Sequence, residues 1–490
     1  MSKINFPESG MDKQIILDNL QAMKRKDLPW QSGKAFAYIY GTDTETMQFS
    51  AQAYNMYLTE NGLDPSSFPS LLQLETEVIA MLADLMNGGT EACGNLTSGG
   101  TESVILAVKT ARDFARSTRP EITKPEIIIP ETAHPCFQKA AHYLDIAVKT
   151  IPVNPETFRA DVTAMEAAIT NQTILMVGSA PSYAHGVIDP IQALASIAKS
   201  KGILFHVDCC VGGMYLPFAE MLGYDIPLFD FRVDGVTSIS CDLHKFGYVP
   251  KGCSTVLYKN KELRHYQLFS CSNWPGYTIV NPTVTSSKSG GPMAGAWSMF
   301  KLWGKEGYKN AVKACQEATD TFIEGLKSIP ELELLGRPDM SLLSFKSVNE
   351  DVSVFQLIDN MNKRGWYLQL QLASHTSQEA VHLTITHFNT KHIAELIEDL
   401  KIVVLELKAK RHPSNIMMMG LDASMIQLLM DEFTPDMLDN LEALLGMDMS
   451  ANGGLPDDMV TINSLLNSLK PEHRDALLTA FVNRMYTSPK

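Results

Sequence analysis

The chain has 490 residues, of which 45% are hydrophobic and 20% charged, close to the averages of soluble globular proteins. Its net charge of −14 and its lack of basic clusters argue against a nucleic-acid-binding protein. No run of about 18 apolar residues occurs, so we expect no membrane-spanning helix. Eight cysteines without Cys-x-x-Cys pairs, several beside apolar strand residues, indicate reduced thiols and a cytoplasmic protein. No metal site is predicted.

The order of predicted elements indicates an α/β architecture. Residues 1–75 form an arm with a helix near 11–23, and the first residues lack the apolar core of a signal peptide. Between 76 and 304, strand-like runs alternate with helical ones, which favours parallel strands joined by crossover helices. Residues 305–411 are predicted to form a small α+β domain. A Met-rich helical tail, 412–490, should contain helices at 434–446 and 471–485.

A glycine-containing turn precedes one predicted helix. The run Thr97-Ser98-Gly99-Gly100-Thr101 opens a segment in which Val104, Val108, Ala111 and Ala115 share one face. By itself such a run is most often an ordinary helix start. However, adjacent glycines and unpaired N–H groups at a helix start can also hold an anion, and the residues described next favour a phosphate site.

Three further residues follow predicted strands. His134 comes just after 127–129, Asp208 ends 203–208, and Lys245 follows 236–240 in the sequence Cys241-Asp-Leu-His-Lys. Open α/β sheets bind ligands at the carboxyl ends of their strands. Enzymes that use pyridoxal phosphate (PLP) bind the cofactor through a lysine Schiff base and pair its pyridine nitrogen with an aspartate. Together with the glycine turn, Asp208 and Lys245 predict a PLP site, with His134 placed to stack on the cofactor ring.

These motifs resemble those of the sphingosine-1-phosphate lyases, within the wider group of PLP-dependent amino-acid decarboxylases. The likeness runs from about residue 30 to about residue 430, and Thr-Ser-Gly-Gly-Thr-Glu, His-Val-Asp and His-Lys-x-Gly-Tyr-x-Pro-Lys-Gly occur in the family's order. It implies the aspartate aminotransferase-like fold, type I, with a central mixed, mostly parallel sheet. Many eukaryotic members carry a membrane anchor, which we do not expect here.

The resemblance also implies roles for individual residues and a homodimer with shared active sites. Lys245 would form the Schiff base, Asp208 would pair with the pyridine nitrogen and His134 would stack on the ring. The other implied positions are Gly100, Thr101 and His244 at the phosphate, Tyr40 and Lys251 near the substrate, and Ser287, Gly290 and Gly291 on a stretch that reaches the phosphate of the partner subunit.

The chain departs from the family pattern at three places. Asp64 stands where the family has a substrate-facing histidine, and Ile279 lies where a tyrosine is expected after the tryptophan-containing stretch. The family's Ser-Arg-Pro-Gly-Gly becomes Ser-Lys-Ser-Gly-Gly at 287–291, so Lys288 replaces an arginine. A carboxylate at position 64 would repel a substrate phosphate rather than bind it.

Three functions follow from the sequence, each with a small-molecule amine as ligand. The first is a PLP-dependent lyase that splits a phosphorylated sphingoid base, by retro-aldol cleavage, into a long-chain aldehyde and phosphoethanolamine. The second is an L-amino-acid decarboxylase that releases carbon dioxide, which Asp64 and Ile279 favour. The third is a catalytically inactive scaffold, against which the intact Lys245, Asp208 and His134 argue.

Overall fold

The computed structural model describes residues 5–64, 66–410 and 459–486, and its larger sheet has seven strands. The strands are β1 (Cys93–Thr97), β2 (Glu126–Pro130), β3 (Ala147–Ile151), β4 (Thr173–Ser179), β5 (Leu204–Asp208), β6 (Ser238–Cys241) and β7 (Ser254–Tyr258). Their spatial order is β1-β7-β6-β5-β4-β2-β3. Strand β7 is antiparallel to β1 and β6, and the other neighbours are parallel. The predicted mixed, mostly parallel sheet is therefore confirmed.

Helices precede the sheet, pack against it and connect its strands. They are α1 (Lys13–Lys24), α2 (Thr44–Asn55), α3 (Pro69–Leu85), α4 (Gly100–Thr118), α5 (Cys136–Leu144), α6 (Val162–Ala167), α7 (Ile191–Ser200), α8 (Leu216–Met221) and α9 (Lys261–His265). Helix α4 buries Val104, Val108, Ala111 and Ala115, the face predicted from its periodicity. A hairpin of β8 (Phe269–Cys271) and β9 (Ile279–Asn281) follows α9.

A long helix, α10 (Gly290–Leu326), leads into a second, four-stranded antiparallel sheet. Gly304 interrupts α10 with non-helical backbone angles, next to the predicted start of the small domain at residue 305. The smaller sheet has the order β10-β11-β13-β12, with strands β10 (Leu332–Leu334), β11 (Leu342–Ser347), β12 (Gln369–Gln371) and β13 (Ala380–Thr384), and packs with α11 (Val354–Lys363) and α12 (Ile393–Lys410). The exact domain boundaries remain predictions.

Two helices of the tail are described, α13 (Val460–Ser468) and α14 (Pro471–Met485). The second matches the predicted helix at 471–485, whereas the predicted helix at 434–446 lies outside the described residues. The Arg474 guanidinium donates to the carbonyls of Leu466, Asn467 and Leu469 and so caps the end of α13. Within the described ranges, no helix combines the length and apolar character needed to cross a membrane.

Candidate active site

The carboxyl ends of the parallel strands open into a cavity of about 620 Å³. Asp208 ends β5, Lys245 lies in the turn after β6, and His134 follows β2. The cavity brings together the predicted site residues Tyr40, Gly100, Thr101, His134, Asp208, His244, Lys245 and Lys251. The arrangement agrees with the placement of ligands at strand ends in open α/β sheets.

Lys245 forms an ion pair with the carboxylate of Asp242, three residues earlier in the same turn. The Lys245 Nζ lies 2.9 Å from Asp242 Oδ2, and the carboxylate is buried. Burial favours the neutral lysine, but the charge of Asp242, followed by the nearby Cys210 and Tyr40, outweighs it and raises the pKa of Lys245 well above its ordinary value. Lys245 is therefore held as a cation inside the cavity.

Asp208 is fixed by contacts across adjacent strands. Because Asp208 on β5 is in register with Ser240 on β6, its Oδ1 accepts from the Ser240 hydroxyl at 3.3 Å and from the Cys210 N–H at 3.0 Å. Two residues earlier on β5, His206 lies between the hydroxyls of Ser238 and Ser240. Side chains two residues apart lie on the same face of a sheet, so Ser238 and Ser240 on β6 can contact His206 and Asp208 on β5. The result is a buried, positioned carboxylate.

The glycine turn leaves no room for a side chain at the start of α4. A Cβ on Gly100 would lie 2.8 Å from both carboxylate oxygens of Asp242 and 2.9 Å from the sulfur of Cys210, whereas a Cβ on Gly99 would meet only His244, at 3.8 Å. Gly100 and Thr101, the first two residues of α4, line the cavity, and the N-cap residue Gly99 offers no side chain to the N–H groups of the helix start. Such a start can bind an anion through its unpaired N–H groups.

Two histidines border the cavity. His134 Nδ1 accepts from the Cys136 N–H at 3.2 Å, and His244 Nδ1 accepts from the Cys253 N–H at 3.1 Å. Burial lowers the pKa of His134, partly opposed by Asp208, and lowers the pKa of His244 to about 4. Both rings are thus neutral near pH 7. Because Nδ1 is the acceptor in each, the proton resides on Nε2.

Tyr40 and Lys251 lie together on another wall. The Lys251 ammonium is 4.8 Å from the centre of the Tyr40 ring and 3.3 Å from the carbonyl oxygen of His244. Burial, and next the charge of Lys245, lowers the pKa of Lys251 to about 8. Burial raises the pKa of Tyr40 to about 12, against the influence of Lys245. Lys251 can therefore exchange a proton near neutral pH, whereas Tyr40 keeps its hydroxyl proton.

The predicted residues at 287–291 do not reach this cavity within one chain. Ser287 borders a second cavity of about 230 Å³, which shares Ser98 and Glu102 with the first. Gly290 packs against Leu71 and Tyr57, and Gly291 against the ring of Tyr54, so both are needed for close helix packing. Their role towards a partner subunit remains a prediction.

The departures from the family pattern also lie away from the Lys245 cavity in this chain. Asp64 is exposed and accepts hydrogen bonds from Ser66 and Ser67, which lower its pKa. Lys288 Nζ is 2.5 Å from Glu75 Oε1, and both side chains are largely buried. The Lys288 charge is therefore neutralised by Glu75.

Sequence reasoning missed several residues of the cavity. Asp242 was predictable in part, because a carboxylate three residues before the lysine can meet it in one turn. Tyr183 and Gln369 were not, because Tyr183 lies in the loop after β4 of the larger sheet and Gln369 begins β12 of the smaller one; the Tyr183 hydroxyl donates to Gln369 Oε1 at 2.6 Å. Glu102 received no predicted role although it lies within the glycine motif.

Comparison with known proteins agrees with this geometry. Residues 3–348 match the model of the pyridoxal-dependent decarboxylase conserved domain, and residues 419–484 match that of a C-terminal putative HTH domain of pyridoxal-dependent enzymes. The chain therefore belongs to the pyridoxal-dependent decarboxylases.

Comparison with individual proteins assigns the chain to one family within this class. The sphingosine-1-phosphate lyase of Oryza sativa subsp. japonica is 43% identical over 84% of this chain and 76% of that protein. The lyase 1 of Rattus norvegicus is 36% identical over 82% of this chain and 70% of that protein. A solved structure of the Burkholderia pseudomallei lyase has a TM-score of 0.79 at 37% identity and covers 83% of this chain and 94% of that one. Within the pyridoxal-dependent class, the chain is a member of the sphingosine-1-phosphate lyase family.

The residues present fit the cofactor of this family, PLP. Gly100 forms a cradle that a side chain would fill, next to the N–H groups that start α4. The buried Oδ1 of Asp242 has no hydrogen-bond partner among the described residues. Asp208 is placed to pair with a pyridine nitrogen and Lys245 to attach the aldehyde carbon. These residues together supply partners for the phosphate, the pyridine nitrogen and the aldehyde of the cofactor.

Proposed function

We propose that this protein is a PLP-dependent carbon–carbon lyase that cleaves a phosphorylated sphingoid base into a long-chain aldehyde and phosphoethanolamine. The supporting observation is the position of Lys251 beside Tyr40 in the same cavity as Lys245. A decarboxylation needs no base for a substrate hydroxyl, whereas a retro-aldol cleavage does. When bound, PLP supplies an electron sink that weakens the bonds to the α-carbon of an amine.

The residues that line the cavity are assigned to binding and orienting the cofactor. Lys245 would hold the cofactor through a Schiff base, and Asp208 would pair with its pyridine nitrogen. The first N–H groups of α4, with Thr101 and His244, bind the cofactor phosphate. His134 would stack on the cofactor ring. These assignments rest on where the side chains lie in the cavity and on the family's pattern.

Lys251 is the proposed base for the substrate hydroxyl. With a pKa of about 8, it is partly neutral at physiological pH and can take the hydroxyl proton as the Cα–Cβ bond breaks and the aldehyde C=O forms. Tyr40, with a pKa of about 12, stays protonated and donates a hydrogen bond to the same oxygen. The proton that Lys251 takes from the hydroxyl balances the proton that the α-carbon must gain to give phosphoethanolamine.

The first test offers purified protein a phosphorylated sphingoid base, the same base without phosphate, and a panel of L-amino acids. We expect aldehyde and phosphoethanolamine from the phosphorylated base alone, and none from Lys245→Ala. Carbon dioxide from an amino acid without aldehyde from any phosphorylated base would identify a decarboxylase instead. The absence of both products from protein loaded with cofactor would favour the inactive scaffold.

We also propose that the protein acts as a homodimer with shared active sites. Helix α1 buries none of its residues and exposes Ile15, Leu17 and Leu20, so it needs another surface to cover it. The position of Ser287 outside its own Lys245 cavity agrees with a role at a partner's site. Mixing Lys245→Ala subunits with subunits disrupted at 287–291 should restore activity; exchange without recovery would contradict site sharing.

We also propose that the protein is cytoplasmic and does not bind nucleic acid. All eight cysteines are free thiols, as expected in a reducing compartment. Residues 419–484, although matched by a putative HTH domain, contain eleven acidic and three basic residues, a net charge of −8. DNA binding needs several basic side chains against phosphates, and Arg474 is used to cap α13. We therefore expect no retention on double-stranded DNA at physiological salt.

A further inference from the structure

Glu102 is a buried carboxylate within the glycine motif that the proposed mechanism does not use. Its side chain is at the third residue of α4 and is 8% exposed. One oxygen, Oε2, accepts from the N–H of Ser98 at 2.6 Å and from the Ser98 hydroxyl at 2.7 Å. The other, Oε1, accepts from the N–H of Val284 at 2.8 Å.

These contacts join two segments that are distant in sequence. Ser98 belongs to the turn that presents Gly100 to the Lys245 cavity, whereas Val284 belongs to the segment that leads to Ser287 in the second cavity. Glu102 borders both cavities. Because Glu102 is hydrogen-bonded to both segments, a movement of the turn at Ser98 would strain or break the hydrogen bond between Glu102 and Val284.

We infer that Glu102 is a positioning residue that couples the phosphate-binding turn at 98–101 to the segment 283–289. The coupling rests on the proposed function in that PLP binds at the turn, and its consequence for the second site rests on the proposed homodimer. Since Ser287 is proposed to serve the partner subunit, Glu102 would transmit cofactor occupancy of one site to the loop that completes the other.

The chemistry of the carboxylate makes the inference testable. Both oxygens accept hydrogen bonds from donors, so glutamine, which has one acceptor oxygen and one donor NH₂ group, can satisfy only one side. Glu102→Gln should therefore disconnect the two segments with little change in shape. Glu102→Asp keeps two acceptor oxygens and should retain part of the coupling. Glu45→Gln is a matched control, because Glu45 also lies in the first turn of a helix, α2, but is exposed.

The main experiment measures amide hydrogen exchange of the full-length protein with and without PLP. In the wild type, PLP should slow exchange both at 98–101 and at 283–289. In Glu102→Gln, the effect of PLP on 283–289 should disappear, and the dissociation constant for PLP, measured by fluorescence, should rise about tenfold, the scale of one lost charge-assisted hydrogen bond. Glu45→Gln should behave like the wild type.

Two results would overturn the inference. One is wild-type protein in which PLP slows exchange at 98–101 but leaves 283–289 unchanged, a result that needs no variant to fold. The other is Glu102→Gln with unaltered PLP protection of 283–289. Neither measurement uses a sphingoid base, so failure of the lyase assignment would leave this test intact, and failure of the coupling would leave the lyase assignment intact.

Discussion

Replacing Asp242 with asparagine tests how the cavity keeps Lys245 charged. The Lys245 Nζ lies 2.9 Å from Asp242 Oδ2, and this contact opposes the burial that would otherwise favour the neutral amine. Asparagine has nearly the same shape but no charge. We therefore expect Asp242→Asn to lower the pKa of Lys245 in the cofactor-free protein, since burial then acts with less opposition.

The size of this change follows from the distance. Two unit charges 2.9 Å apart interact by about 1.4 kcal/mol in bulk water, a factor of about ten between the charged and the neutral amine, and by about 6 kcal/mol at an effective dielectric constant of about 20. Only the neutral amine attacks the cofactor aldehyde. Even the lower limit makes covalent attachment of PLP at neutral pH about tenfold faster than in the wild type.

The assay follows the visible absorption band of lysine-bound PLP after cofactor is added to cofactor-free protein across a range of pH. The rate in Asp242→Asn should level off at a lower pH than in the wild type. Asp230→Asn is the matched control, because Asp230 is also buried and lies 2.9 Å from a cation, Arg232, in another part of the protein. A pH dependence in Asp242→Asn that equals the wild type, or moves to higher pH, would refute the reasoning.

The remaining predictions use other features of the site and core. Gly100→Ala should weaken PLP binding strongly, by tenfold or more if a steric cost of about 1.4 kcal/mol results, while Gly99→Ala should have a milder effect; titration of both variants with PLP checks this. The kcat/KM of the wild type should rise with pH through about 8 as Lys251 loses its proton, and Lys251→Met should lose activity and this pH dependence. His206 and His382 are fully buried, and burial lowers the pKa of each from 6.5 to about 4. As the pH falls, these two histidines therefore become protonated in the unfolded chain before they do so in the folded protein. Stability should therefore decrease as pH falls from 6.5 to about 4; an unchanged urea midpoint over this interval would contradict the prediction.

Local patterns in the sequence predicted the sheet of the large domain because its strands are short and continuously apolar. The runs at 127–129, 203–208 and 236–240 correspond to β2, β5 and β6. The antiparallel insertion of β7 between β1 and β6 was not predicted, since pairing direction depends on how the chain returns to the sheet and not on local residue pattern. The interruption of α10 at Gly304 was not predicted either. The helix continues on both sides of this residue, and an isolated glycine is tolerated within a helical pattern.

The candidate site was predictable where one motif contains several partners. The motif around Lys245 includes His244 and Lys251, and a single turn followed by a return strand brings all three to one cavity. The sequence alone did not show which carboxylate pairs with Lys245, because both Asp208 and Asp242 were available. The folded turn identifies Asp242 as the partner. Residues near 290 could be predicted only from the resemblance, since their contacts in one chain are packing contacts.

The charges of the site also constrain one another. Burial is the first cause of the lowered pKa of Lys251, and the charge of Lys245 is the second. Asp242 itself raises the pKa of Lys251, but by less than Lys245 lowers it, so if Asp242→Asn neutralises Lys245 we expect a net rise of the pKa of Lys251 above about 8. Competitive labelling of the two amines in cofactor-free protein would then show Lys245 more reactive and Lys251 less reactive at neutral pH. A change of Lys245 alone would mean that Lys251 is governed by burial, and that its role as a base does not depend on the ion pair beside it.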